Sequence, residues 1–391
     1  MSTIDIPKEM WALLDDQPLV QAPTGITPNF EYPTWHGRSV VIAASVCIPL
    51  MLIAASIRVY TKCFITRKWN RDDNIFLASL AAALLFIALV MAMTCGEAYG
   101  YHAWDLKIGR LTKVVLVRSL LLTILVGPLV WIIKLSIFSL IYHAFRPLPY
   151  VRRLVYVGVL VTGLYSVGTG ITNGILCGPH GGQDRAAYLA GMAGPKCGNP
   201  DGVVQILSVT TGSINLFTDI YLLVLPLPAV YDLSLPRARK AGVMAIFLTG
   251  SVGCVMSAIA LYYRKRTYGG GRVTLWNTDI TYANNPIMTV TIIESAVGIM
   301  IPCMASCAKV FKLYSSSLSS FMPSRFTGFR RTPSNDGIFR ASQELQRLPG
   351  ISEQPHTDTI DRMLMQFKHD EHKNDSFSQD SQSSKTSRIS T

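Results

Sequence analysis

The sequence predicts an all-α, polytopic membrane protein with seven transmembrane helices, its N-terminus outside and a disordered cytoplasmic tail. Three observations predict it. Seven long apolar stretches fill residues 39 to 308, each close to the ~20 residues that a helix needs to span hydrocarbon. Charged residues make up only 15% of the 391, against about 25% in an ordinary soluble domain. Lipid also admits only backbone that pairs its own N–H and C=O groups, which makes each stretch a helix.

The stretches fall at 39–57, 76–96, 121–143, 154–176, 203–230, 241–262 and 287–308. Ahead of them, residues 1–37 form an extracellular segment with Asp5, Glu9, Asp15, Asp16 and Glu31 against Lys8. It lacks an apolar signal core, so the first span is expected to act as the signal anchor. Pro49, Pro128 and Pro302 each remove one helical hydrogen bond and should kink spans one, three and seven. Asp72 and Asp73 precede span two. Asn74, Ile75, Phe76 and Leu77 follow, so no DDxxD arrangement exists, and the pair reads as a helix cap that offsets the dipole. In span four, Gly170 and Gly174 form a GxxxG pair suited to close helix contact. Span five is long, with Pro226 and Pro228 near its end.

Beyond the 38–314 membrane domain, residues 315–391 are rich in Ser and charge. Such a segment buries too little apolar surface to offset its chain entropy. Arg330, Arg331 and Arg340 are placed to meet anionic lipid, and phosphate on Thr332 or Ser334 would weaken that contact. Asn374 begins a glycosylation sequon, expected to stay unmodified on the cytoplasmic side.

Orientation comes from the short loops. Arg58, Lys62, Arg67, Lys68 and Arg71 follow span one, Arg146, Arg152 and Arg153 follow span three, and Arg237, Arg239 and Lys240 follow span five. With Lys309 and Lys312 they share one side, which the positive-inside rule makes cytoplasmic. Lys107, Arg110, Lys113, Arg118, Arg264, Lys265, Arg266 and Arg272 lie opposite, so the bias is modest. The net charge of +12 is thus read as topology and headgroup contact. The expected partner is the lipid bilayer, not nucleic acid.

Polar residues inside spans are costly and mark function or register. Span three has Lys134, span four Asn173, span five Asn215 and Asp219, and span seven Glu294. Counting about 1.5 Å per residue, Lys134 and Asp219 lie roughly 20 Å below the outer surface and Glu294 about 12 Å. That favours a Lys134–Asp219 pair, either fixing helix register or polarising a ligand. On the outer side, Cys177, Cys197 and Cys95 are disulfide candidates in an oxidising compartment, and sequence alone does not choose the pairing. The loop Gly96 to Asp105 carries aromatic residues suited to an interfacial belt. Alternatively it floors a ligand pocket, with His102, Trp104 and Asp105 as its anchors. No metal-ligand spacing or catalytic motif occurs, so neither metal nor enzymatic activity is expected.

Taken together, these residues resemble the fungal rhodopsin-domain integral membrane proteins, which include receptor-like proteins and mycotoxin-cluster relatives of the satratoxin type. The resemblance covers roughly 38–314. It rests on Arg58 and Tyr60, Asp72-Asp73, Gly100 with His102 and Trp104-Asp105, and Lys134 with Ser136. Further along it includes Cys177 with Pro179, Cys197, Asp219, Pro226-Leu227-Pro228, Lys240, Phe247, Gly250, Glu294 and Gly298. The sequence departs from the pattern after Cys177, where a tryptophan is expected, and before Glu294, where an aromatic is. Span seven has no lysine for a retinal Schiff base, so no cofactor is expected. Span three ends without a DRY-type triplet and span seven lacks NPxxY.

The resemblance implies a non-enzymatic, receptor-like protein of a fungal plasma membrane, with a small-molecule ligand and a cytoplasmic signalling protein as partners. The alternatives are an accessory membrane protein of a secondary-metabolite cluster and a membrane-embedded cyclase. Acidic residues at different depths argue against the cyclase.

Overall fold

The computed structural model describes residues 15–95, 99–145, 148–227, 237–271 and 274–321, with side chains from 237–246, 305 and 308–321 left aside. The tail beyond residue 321, with its basic and phosphorylatable residues, and the segment before residue 15 lie outside the described residues.

Among the described residues, seven long helices follow one another: α1 Arg38–Tyr60, α2 Arg71–Thr94, α3 Lys113–Ala144, α4 Pro149–Cys177, α5 Val203–Val224, α6 Arg237–Thr267 and α7 Ile280–Phe321. Among the described residues, six helical stretches are long and apolar enough to cross a membrane. They comprise α1 with the π-helical turn Thr61–Thr66, α2 to α5, and α7 to Met304. α6 is the remaining long helix, and its stretch 241–262 carries no charge. No strand occurs among the described residues. The chain is an all-α, multi-pass membrane protein.

Sequential neighbours pack side by side, and α7 closes the ring by packing on both α6 and α1 while also touching α3 and α2. It is the central helix: 78% of its most apolar window is buried, against 17–39% in the other five spans. The outward faces are apolar. On α4, Val157, Leu160, Val161, Leu164, Ile171 and Ile175 are exposed at helical spacing. In water such a stripe would be an aggregation surface; here it is the face turned to lipid.

Helix ends follow local chemistry. Asn70 caps α2, and Asp73 returns a carboxylate to the Asn70 N–H at 3.1 Å. Span two therefore begins at Arg71, not at residue 76, because the polar first turn hides a true helix start. Thr112 caps α3 by accepting from Val115 N–H, and Pro149 opens α4, where its missing N–H costs nothing. α5 stops at Val224 instead of reaching residue 230; Leu225 keeps helical angles, but Pro226 has no N–H to carry the backbone ladder on. α7 starts seven residues before the expected 287 and runs on to Phe321, past the boundary at 314. Gly170 packs so closely on α3 that a Cβ would sit 2.8 Å from the Ile124 carbonyl.

At one end of the bundle, Cys177 and Cys197 form a disulfide around the short helix Arg185–Ala193. Cys95 is free and exposed. Arg185 clamps that end: it meets Asp15 at 2.9 Å and donates to the carbonyls of Leu111 and Ile108 at 2.8 and 2.7 Å. The segment from Asp15 thereby lies against the loop between α2 and α3, where Leu19 donates to Leu106 O at 2.8 Å. The exposed Asp16–Lys107 pair adds a weaker contact at 2.8 Å. The Lys107 ammonium, hydrogen-bonded to it, holds the Asp16 carboxyl below its usual range.

Candidate functional site

Four helices meet in one buried polar cluster. Lys134 of α3 donates to Asp219 Oδ1 at 2.5 Å and to the Asn215 backbone carbonyl at 3.1 Å, both on α5. Its Nζ also stands 3.5 Å from Glu294 Oε1 on α7. Asn215 Nδ2 donates to Glu294 Oε1 at 2.8 Å and to Ser257 Oγ of α6 at 3.3 Å. Ser257 closes the circuit by donating to Asp219 Oδ2. Lys134, Glu294 and Ser257 are 6%, 7% and 1% exposed. One ammonium thus serves two carboxylates, and two neutral groups take up part of the remaining hydrogen-bonding capacity. Buried ions persist only where they are paired and hydrogen-bonded.

The placement of Glu294 corrects the depth count. Starting α7 at residue 287 left Glu294 shallower than Lys134 and Asp219. The helix starts at Ile280, and seven further residues add about 10 Å of rise. α3 likewise starts eight residues before 121, at Lys113, so such counts do not rank depth. The 3.5 Å approach of Lys134 Nζ to Glu294 Oε1 puts the two at one level, and different depths no longer separate the carboxylates.

Three linked cavities surround this cluster. An apolar one of about 230 Å³ lies among α3, α5, α6 and α7, with Ile137, Leu222, Phe247 and Ile301 in its wall and Lys134, Asp219 and Glu294 at one end. A neck of about 60 Å³ shares Val130, Lys134 and Glu294 with it and adds Trp131, Tyr165 and Arg264. On the disulfide side, a polar cavity of about 210 Å³ shares Val126, Gly127, Thr211 and Arg264 with the neck and adds Asn173, Gln205 and Ser208. The ionic cluster separates a polar space from an apolar one.

His102, Trp104 and Asp105 do not floor these cavities. His102 is stacked between Trp104 at 4.4 Å and Tyr282 at 4.5 Å, and its Nδ1 meets Asp279 Oδ2 at 2.5 Å. Asp105 accepts from Asn29 N–H at 2.9 Å. These residues fasten the α2–α3 loop to the start of α7, as aromatic stacking and a buried carboxylate would. Asp279 also accepts from the N–H groups of Ala103 and Tyr282.

At the opposite end Asp72 and Asp73 do more than cap. Arg58 meets them at 3.4 and 3.0 Å, and Lys62 at 3.7 and 3.0 Å. Asp73 keeps its place in the capping box, while Asp72 is an ion-pair partner. Arg58, read from sequence as an orientation signal, is only 5% exposed.

Sequence reasoning also missed Ser257, Arg264 and Asp279. Ser257 is one of several hydroxyls in span six, with Thr249 and Ser251, and nothing in the sequence sets it apart. Arg264 lies two residues beyond 262, where the apolar run of span six ends, and so reads as a loop residue. Asp279 was readable as a cap only with the true start of α7.

A family model, the fungal rhodopsin domain, matches residues 57–313. The chain is similar to "Fugralins biosynthesis cluster protein 2" of Gibberella zeae, 22% identical over 321 residues, which cover 80% of this chain and 73% of that protein. It is also similar to a "SAT4 family membrane protein" of Emericella nidulans, 25% identical over 247 residues, 62% of this chain and 58% of that one. No solved structure matches. The helices α2 to α6 and most of α7, with Lys134, Asp219 and Glu294, fall inside the matched range, which α1 enters only at its last four residues, and the chain belongs to the fungal rhodopsin domain family.

Proposed function

We propose that this protein is a non-enzymatic, receptor-like seven-helix protein of the fungal plasma membrane. It senses a small molecule entering from the disulfide-bearing end, taken as the outside, and signals to a cytoplasmic protein through its basic loops. The observation that carries this reading is the position of the Lys134–Asp219–Glu294 cluster between a polar and an apolar cavity. A ligand that drew one carboxylate away from Lys134 would change how α3, α5 and α7 are held together, which makes the cluster a two-state element. The reading involves no retinal, since 280–308 contains no lysine.

The test is Lys134→Met in the native fungus. Retained membrane localisation with a lost transcriptional response to external cues supports the reading. An unchanged response in a correctly localised variant rejects it.

A second reading is favoured by the relative from Gibberella zeae, whose name places it in a biosynthesis cluster. On that reading the protein is an accessory membrane component that handles a secondary metabolite. Deletion would then change metabolite export or yield without changing responses to external cues. Convergence of Asp219 and Glu294 on an apolar cavity is also what a membrane-embedded cyclase would need, and turnover of an isoprenoid by purified protein would reveal one.

A further inference from the structure

We propose that the polar cavity and its neck bind a small organic carboxylate, with Arg264 as the group that recognises the acid. The inference rests on the receptor reading only for the side from which the ligand enters.

Arg264 lies where the two spaces join, lining both. Its guanidinium has five N–H donors in a planar fork shaped for a carboxylate. The hydrogen bond that it makes goes to a neutral acceptor, Ser208 Oγ at 3.0 Å. Glu294 attracts it through space, but that carboxylate is already engaged by Asn215 at 2.8 Å and Lys134 at 3.5 Å. Among the described residues no ion pair holds Arg264. The cluster's carboxylates are drawn to the lysine, and the arginine faces the cavity.

Unpartnered groups around the same space point the same way. Tyr165 OH and Trp131 Nε1, both in residues of the neck, are buried without a hydrogen-bond partner, and so is Asn173 Oδ1 in the cavity wall. Asn173 uses its amide nitrogen on the Thr123 carbonyl at 3.3 Å, leaving the oxygen free. A buried polar atom left unpaired costs about 1–3 kcal/mol, so an occupant that pairs these atoms is favoured. Two donors on residues of the neck that Arg264 also lines suit the acceptor oxygens of an acid. The lone acceptor suits a hydroxyl or amine elsewhere on the same molecule. Apolar wall residues such as Leu122, Val126, Ile287 and Met288 suit its hydrocarbon body. At about 210 Å³ the cavity falls below the ~300 Å³ lower end of drug-sized sites, which limits the ligand to a small one.

The experiment uses the full chain in detergent, with salicylate and hexanoate as probes and benzyl alcohol and hexanol as uncharged counterparts. Tryptophan fluorescence, compared with that of Trp131→Phe because the chain has six tryptophans, and thermal unfolding give two independent readouts. Both acids should quench and raise Tm, and the alcohols should do neither. Arg264→Gln should weaken acid binding by about tenfold or more, as expected for loss of a charge-assisted bidentate contact. Glu294→Gln should tighten it by removing a nearby negative charge. If Arg264→Gln does not fold, Thr211→Phe, which fills the junction without removing charge, must abolish the acid response. Equal responses to acid and alcohol, acid binding unchanged by both Arg264→Gln and Thr211→Phe, or no response to either acid at millimolar concentration overturns the proposal. Quenching only when hexanoate is delivered in vesicles would assign the site to membrane-borne acids, and quenching by aqueous salicylate to soluble ones. Because the readout is binding, its failure leaves the cellular Lys134→Met test untouched.

Discussion

Arg58 of α1 donates a 2.6 Å hydrogen bond to the Pro302 carbonyl of α7, 244 residues away in sequence. Its other arm meets Asp73 of α2 at 3.0 Å, and its guanidinium lies 4.7 Å from the centre of the Phe76 ring. One planar fork therefore joins three helices where α7 carries an internal proline. A lysine cannot do this, because its compact ammonium lacks the rigid separation of donors.

Arg58→Lys should thus destabilise the protein, by about 1–3 kcal/mol for a buried acceptor left unmet. Arg58→Met should cost more than Arg58→Lys, because it also removes one of the two cations that Asp73 holds at 3.0 Å, leaving Lys62 alone. Thermal unfolding in detergent gives the order. Cys303, 1% exposed within the same packing, should alkylate faster in Arg58→Met than in the parent. If both substitutions leave Tm and alkylation unchanged, Arg58 is not holding α7.

Lys134 poses a related problem of charge. Removing it leaves Asp219 and Glu294 buried without their shared cation, a loss of about 3–5 kcal/mol. The double substitution Lys134→Met with Asp219→Asn removes one of those charges as well. It should recover part of the stability, so that the double variant melts above Lys134→Met. A double variant that melts lower would show that the hydrogen bonds of Asp219, not its charge balance, dominate.

Glycines in α4 separate packing from helix propensity. A Cβ at Gly170 would lie 2.8 Å from the Ile124 backbone carbonyl, which cannot step aside without moving α3. Gly170→Ala should cost about 1–3 kcal/mol, typical of overpacking. Gly168 has nothing within 4 Å of such a Cβ, so Gly168→Ala should be neutral or gain up to about 1 kcal/mol from lost backbone entropy. Equal Tm changes at the two positions would remove the close α3–α4 contact from the account.

Hydropathy made the helices legible but blurred those ends whose first turns are polar. The start of α7 shows why. Thr281, Asn284, Asn285 and Pro286 dilute the apolar signal, yet the segment is helical because Asp279 caps it and its surroundings are protein instead of lipid. Hydropathy measures affinity for lipid, whereas the central helix spends most of its surface on its neighbours. Span starts set seven residues late on α7 and eight late on α3 misplaced both Glu294 and Lys134 along the bundle axis and hid their contact. Lys134 and Asp219 stood out because isolated charges in apolar runs are rare. Arg264 did not, because at a helix end an arginine ordinarily meets headgroups.

The cysteines allow a test that needs no ligand. Cys177 and Cys197 are bridged with 20 residues of separation, and closing a loop of that size stabilises by about 3 kcal/mol in the chain-entropy description. Cys177→Ser and Cys197→Ser should each lower Tm, and the double variant should fall no further, since either change opens the same bond. Cys95→Ser should leave Tm unchanged, because Cys95 is free and exposed. A non-reducing digest should yield a single peptide pair joining residues 177 and 197, collapsed by reductant. The same bond also tests orientation: disulfides persist in oxidising compartments. An impermeant maleimide added to intact cells should therefore label Cys95, which lies at the same end of the bundle, and leave the exposed Cys63 at the other end unreacted. Labelling of Cys63 with Cys95 protected would reverse the assignment of the outer face, and with it the side from which a ligand reaches Arg264.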